Sequence, residues 1–537
     1  MAPSTAASTA VNTSSRCRAH TRPNPTARHD RVLAMPRLAV VRYAGLGGSV
    51  LLAVAAWLGG ATNPWQPTIK PGTIFAGDDG VLLPIAWLLG TGLLITAWVL
   101  GVRAVPSARW AYVTAGLWML PLLAFLPLGS YDAYSYACQG WQQSAGLDPY
   151  AGGVDVLGCP WADAVAPTWR DAPAPYGPLF LVLAGVAAKT GSLAGTLAGL
   201  RVIALVGVAL IAVSLPVLAR RGGVPLGRAV WLVLACPLVP IHLISGAHND
   251  ALMVGLMVSG LAFAIARKGW AAGLLLGLAV AVKATAVVVA PFALLLLLDC
   301  RKLPVDNSAV LSPPRRSVRH VPGWAGEAMA PREATYNTVR RGWRPAAALA
   351  GGLVLALAGV SLVSGRGFGW VTALSGSGVS VQWTSLPTAI GMTIDLVGPD
   401  AVPVTRVLGI VALAVVLAYL WWKARHRDAL LYAGYALAAT VLLAPVFHPW
   451  YAFWPLAVLA ATLHTHLKWL VVPCAVASAL CLPDGYNLAL AVKAQGAVAM
   501  TAFIIYLAWK SVHEAKNRAA ERRRADHVPD RLSGPDA

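Results

Sequence analysis

The chain has 537 residues, of which 57% are hydrophobic and only 12% charged. Soluble domains carry about 25% charged residues, so this composition excludes an ordinary soluble fold and points to lipid as the solvent. The net charge of +20 is not a nucleic-acid footprint: the cations gather in the N-terminal tail, in 299–344 and in the C-terminal tail, where positive charge orients membrane proteins.

Residues 1–36 are rich in Ala, Ser, Thr, Pro and Arg without helical periodicity, and read as a disordered cytoplasmic tail. No signal peptide is expected, because the first apolar run is long and starts late. Apolar runs of about 20 residues then recur along the chain, each long enough to cross a ~30 Å hydrocarbon core. Their continuous character excludes a β-barrel. The expected fold class is all-α, a polytopic transmembrane helical bundle with about 12 net crossings plus re-entrant half-helices, oriented by the positive-inside rule.

Spans are predicted at 38–60, 81–102 and 110–129. Arg31 and Arg37 before the first and Arg42 in its first turns, and Arg103 and Arg109 between the others, place those ends inside. Residues 130–175 then form an external loop, with Asp132, Asp148, Asp155, Asp163 and Asp171 against the single cation Arg170. The segment 177–190 reads as a half-helix, followed by spans at 196–218, 229–245 and 250–266. Basic residues flank 271–298 on both sides (Arg267 and Lys268, then Arg301 and Lys302). Both ends therefore lie inside and the segment enters and returns around Lys283; a single tilted span is the alternative. A basic cytoplasmic loop occupies 299–344. Further spans follow near 345–363, 403–422, 428–446, 451–467, 469–482 and 487–509, and a charged cytoplasmic tail ends the chain. The organisation is thus a tail at 1–36, an N-terminal catalytic module at 37–298, the loop, a C-terminal transmembrane module at 345–510, and a tail at 511–537. Both termini lie inside.

Among the seven cysteines, Cys138 and Cys159 share the external loop, where oxidation is permitted; a disulfide and two free thiols are both open. No cysteine spacing suggests a metal cluster. Asp132 stands directly after a span. A carboxylate partly desolvated by aromatic neighbours gains basicity and suits general-base chemistry on a sugar hydroxyl; the plainer role is a helix N-cap. Aromatic residues crowd the same loop, either as sugar-stacking surfaces or as an interfacial belt. His248 and Asn249 cap the helix beginning near Asp250 or, with it, draw a phosphate. Lys283 either pairs inside the bundle or meets a phosphate.

The ordered set "DAYSYACQG", "GLDPY", "APYGPL", "GAHNDALM", "LAVAVKATA" and "FHPWY" resembles the GT-C membrane glycosyltransferases. It is most similar to the actinobacterial polyprenol-phosphomannose-dependent α-1,6-mannosyltransferases of lipomannan and lipoarabinomannan synthesis. The resemblance is strongest over 130–300 and extends through 451. It implies an inverting transfer of mannose from polyprenyl-phosphomannose to a lipid-anchored mannan at the outer face of the plasma membrane, without metal or other cofactor. Asp132 would be the base. His248, Asn249, His448 and Lys283 are the candidates for the donor phosphate, with Arg366 and Arg170 behind them; a surface pairing with Asp171 is the plainer role for Arg170. Tyr131, Tyr134, Tyr150, Tyr176 and Trp383 are the candidates for sugar or acceptor contacts. The competing class is a lipid-linked-sugar flippase.

Overall fold

The computed structural model describes residues 25–66, 80–299, 334–374 and 380–526. Residues 1–24, Cys17, Cys300, most of the basic loop and the last eleven residues therefore lie outside the described residues; 25–36, expected as part of a disordered tail, and 334–344, expected as loop, instead begin helices. Among the described residues every regular element is a helix, apart from one isolated antiparallel bridge between Cys481 and Asn487.

The first half contains α1 (Pro25–Gly59), α2 (Leu82–Gly101), α3 (Ala108–Met119), α4 (Asp132–Ser144), α5 (Pro178–Ala188) and α6 (Leu193–Gly222). It continues with α7 (Leu226–Leu234), α8 (Asp250–Ile265), α9 (Gly269–Val280) and α10 (Ala290–Leu298). The second half contains α11 (Ala334–Val363), α12 (Leu386–Ile394), α13 (Val402–Ala424), α14 (Ala429–Leu443), α15 (Phe453–Leu459), α16 (Lys468–Ala479) and α17 (Lys493–Asp526).

Among the described residues six helical stretches are long and apolar enough to cross a membrane, or seven if the α7 pair bent by 59° is counted as one span. This makes the protein a multi-pass membrane protein. Several runs predicted as spans fold as shorter pieces instead. The run 110–129 becomes α3 and a 3-10 turn ending at Leu123, because Pro121 and Pro127 cannot continue the hydrogen-bond ladder. The run 451–467 becomes a 3-10 turn and the seven-residue α15, bounded by Pro449 and holding Pro455. The segment after α7 breaks at Pro237 and Pro240 into a π-helical turn, Val239–Ser245.

Helix α6 is the axis of the first half, about 45 Å long at 1.5 Å per residue. Small residues let α8 lie against its backbone: a Cβ on Gly207 would overlap the Ala251 carbonyl, and one on Gly255 the Gly207 carbonyl. Ser214 and Ser259 hydroxyls share a 2.9 Å hydrogen bond further along. Contacts at 207 with 251 and at 214 with 259 mean that the two helices run parallel. Asp250 therefore begins α8 at mid-length of α6, whereas Ile265 approaches the Arg221 end.

From that end α9 sets out, and the chain reaches Lys283, whose ammonium meets Asp250 at 2.9 and 3.0 Å. Helix α10 then returns to the starting end, where Asp299 accepts a 2.7 Å hydrogen bond from Arg221, itself 3.5 Å from Asp428. The segment 269–299 therefore doubles back at Lys283 and has both feet at one end of the molecule.

Candidate active site

Asp132 is the first residue of α4. Its cap is Tyr131, and no side chain caps the helix; the carboxylate is thus not spent as an N-cap. Its backbone N–H donates to the Ser130 hydroxyl at 3.0 Å. The approach to this point is pinned by the buried Arg201, which donates to the carbonyls of Leu123 at 3.1 Å, Phe125, and Ser245 at 3.3 Å. One guanidinium thereby fixes both the irregular segment entering Asp132 and the turn leading to His248. From the other half, the tight turn at 481–487, with Gly485 at φ +88°, packs on Ser130. The Gly129 N–H donates to the Pro483 carbonyl at 2.9 Å.

Asp132 is only 9% exposed. Burial pushes its carboxyl up to about 6, with Asp250 adding to the rise and Lys283 opposing it. The nearest imidazole is His248, whose Nδ1 lies 3.8 Å from the carboxylate and 3.3 Å from the Tyr136 hydroxyl. Burial holds His248 well below its ordinary pKa, with His242 and Lys283 acting the same way, so it stands as a neutral ring beside the carboxylate. It stacks on Trp450 with centroids 3.8 Å apart, and His448 covers the same indole at 4.8 Å.

Two cavities meet at this carboxylate. The polar one, about 240 Å³, is lined by Trp65, Ser130, Tyr131, Gln382, Asp484 and Asn487. The more apolar one, about 400 Å³, holds Tyr176, Lys283, Thr285, Arg406, Tyr451 and Trp454. Asp132, Trp169, His448 and Trp450 line both, so they form the shared wall. In the second cavity Lys283 is clamped by Asp250, which also accepts from the Trp454 indole at 2.7 Å. Tyr451 and Trp454 present their rings to the ammonium at 4.5 and 5.2 Å. Arg406 donates to Thr388 Oγ1 at 3.0 Å and to the Ser380 carbonyl at 2.6 Å. The Thr285 hydroxyl is buried there without a hydrogen-bond partner.

The candidates from sequence divide accordingly. Asp132, Tyr131, Tyr176, Lys283 and His448 line the cavities, and His248 lies directly behind their wall. Asn249 is buried, lines neither cavity and makes no side-chain cap bond, its amide being without partners; the capping role is therefore wrong. Tyr134 donates to the Ala61 carbonyl at 2.5 Å and Tyr150 to the Tyr176 carbonyl at 3.0 Å, and both lie outside the cavity walls. Trp383 turns away, donating to the Ala489 carbonyl at 2.6 Å and packing on Gly496; its neighbour Gln382 faces the polar cavity. Arg366 is engaged by Gln143 at 3.0 Å, and Arg170 approaches Asp163 at 4.0 Å, with no pairing to Asp171 seen. Cys138 and Cys159 are joined as a disulfide, tying α4 to the loop that follows it.

Arg406, Trp450, Trp454 and Asp484 line the cavities without being among the candidates read from the sequence. The signal for Arg406 was a lone arginine inside an otherwise uncharged span, which is costly unless it faces protein or a cavity.

The residues around the shared wall come from two family matches, one in each half of the chain. The N-terminal domain of alpha-(1->6)-mannopyranosyltransferases matches residues 42–299, and the family described as "MptB C-terminal domain" matches 382–513. The alpha-(1->6)-mannopyranosyltransferase A of Mycobacterium tuberculosis is 34% identical over 445 residues, 78% of this chain and 79% of its own. The chain belongs to the alpha-(1->6)-mannopyranosyltransferase family. It is a glycosyltransferase. A second alpha-(1->6)-mannopyranosyltransferase of that organism is 32% identical over 79% of this chain and 78% of its own. Alpha-(1->6)-mannopyranosyltransferase B of Corynebacterium glutamicum is 28% identical over 79% and 73%. No solved structure matches. Within this family, Asp132, His248, Asp250 and Lys283 fall in the N-terminal match, whereas Gln382, Arg406, His448, Trp450 and Asp484 fall in the C-terminal one.

Proposed function

We propose that this transferase moves mannose from polyprenyl-phosphomannose to O6 of a growing, lipid-anchored α-1,6-mannan of the lipomannan and lipoarabinomannan type. The observation that carries the reading is the shared wall: one buried carboxylate faces a polar cavity on one side and a cationic, apolar-walled cavity on the other. The acceptor end lies among Asp132, Gln382, Asp484 and Asn487, with Trp65 and Trp169 as stacking surfaces. The donor lies beyond the wall, its phosphate near Lys283, Arg406 and the Thr285 hydroxyl and its prenyl chain against the apolar lining.

Asp132 takes the proton from O6 as that oxygen attacks C1. The C1–O bond to phosphate breaks, and prenyl phosphate leaves with its charge countered by the two cations. A β-linked donor gives an α-linked product by this single inversion. Neutral His248, backed by Trp450, holds the carboxylate side of the wall in place. We place the loop 130–175 and both cavities on the outer face of the plasma membrane, with both termini inside. That orientation follows from the basic residues near 220, 267 and 423–427 and the acidic character of 130–171.

The test is incubation of purified protein with labelled polyprenyl-phosphomannose and an α-1,6-mannoside, read by linkage analysis. A new α-1,6 bond is the expected result; donor consumption with another sugar only, or passage across vesicles without a product, would overturn the reading. In the same assay kcat/KM should rise with pH around 6 and level off near neutrality, because only the ionised Asp132, with its carboxyl at about 6, accepts the proton. A flat profile between pH 5 and 8 would remove Asp132 from that role.

A further inference from the structure

A third cavity lies at the other end of the molecule from Asp132. Its volume is about 870 Å³, and it opens between the C-terminal end of α2 and the N-terminal end of α16. Arg103, Arg228 and Lys468 line it, no carboxylate does, and Leu100 and Val472 belong to its walls. Leu100 is 61% and Val472 57% exposed, so the walls continue as apolar helix faces of a membrane protein.

Its position is fixed by the fold. Arg228 donates to the carbonyls of Leu463 at 3.0 Å and His464 at 3.4 Å, which leaves its Nε buried and without a partner. His464 in turn contacts the Gly222 carbonyl at 2.9 Å, at the C-terminal end of α6. The groove therefore sits at the Arg221 end, half of α6 or more away from the Asp250–Lys283 pair. A concentration of cations at the end of exposed apolar helices, without a counter-ion among the described residues, is electrostatically complementary to one ligand class, an anionic headgroup carrying acyl chains.

We propose that this groove is a binding site for an anionic phospholipid, its phosphate between Arg103, Arg228 and Lys468 and its chains along α2 and α16. The site is separate from the transferase chemistry. The chains contribute by burying apolar helix surface, and the cations select the headgroup.

The test is native mass spectrometry of the purified full chain titrated with phosphatidylglycerol or phosphatidylcholine of the same acyl composition. The protein should retain one phosphatidylglycerol at concentrations at least tenfold below those needed for phosphatidylcholine. The exposed pair Arg103→Gln and Lys468→Gln should abolish that preference while mannosyl transfer and the melting temperature in detergent stay as in the parent. Arg103→Gln alone should weaken it. Soluble glycerophosphoglycerol should fail to displace the lipid. Equal retention of both lipids, an unchanged preference in the double variant, or displacement by the soluble headgroup would each overturn the proposal.

Discussion

Asp132→Asn should lower kcat by about 10²- to 10⁴-fold and at the same time raise the melting temperature. The first effect follows because the amide keeps the shape of the carboxylate but cannot take the acceptor proton. The second follows from linkage. A carboxyl moved from 3.8 to about 6 by burial is harder to ionise in the folded state than in the unfolded one. Its contribution to stability is therefore greatest below pH 3.8 and declines as the pH rises through 6. At neutral pH the ionised group costs on the order of 3 kcal/mol. Removing the charge relieves that cost. A purely structural Asp132 would show the reverse, so kinetics and melting together separate the roles. Measurable loss of stability with substantial residual transfer would refute the assignment.

Breaking the Asp250–Lys283 pair should be the most destabilising single change in the site. Asp250 is fully buried, and its carboxylate binds Lys283 through both oxygens and the Trp454 indole through one. Asp250→Leu leaves an ammonium buried among aromatic rings, and Lys283→Met leaves a buried carboxylate. Each should cost about 3–5 kcal/mol, read as a lower melting temperature or a shorter half-life in detergent. The double replacement should recover most of that stability, since two matched apolar groups need no desolvation compensation. It should not recover transfer, because the cation proposed to meet the donor phosphate is gone. Single variants that melt like the parent would show that solvent already screens the pair.

Much of this arrangement was legible in the order of the sequence motifs, and for stated reasons. Asp132 was found because a charge after a long apolar run is costly and so conspicuous. Lys283 was found the same way, and basic flanks on both sides of 271–298 anticipated a segment that doubles back. What the sequence did not disclose was partnership. Asp250 read only as the start of a helix that His248 and Asn249 would cap, whereas its counter-ion lies 33 positions away. Aromatic residues carried little information one by one: Tyr134 and Trp383 spend their polar atoms on backbone carbonyls, whereas Trp450 and Trp454 line the cavity. Nothing in a local window distinguishes the two. Hydropathy also overstated helix length, because it sees apolar content and not the prolines at 121, 127, 449 and 455 that divide it.

The doubled-back segment around Lys283 has a mechanical consequence. A helix that crosses from one side to the other can slide along its axis like a piston, changing the height of any group it carries. A strut with both feet planted at one end has no such freedom. One foot continues from α8 and the other is bolted through Asp299 to Arg221 and, by the same guanidinium, Asp428; the apex is latched to Asp250. Raising or lowering the ammonium would mean breaking those ion pairs together. The height of the cation is therefore a fixed reference, and the lipid-borne donor proposed above must adjust its own depth and tilt to reach it.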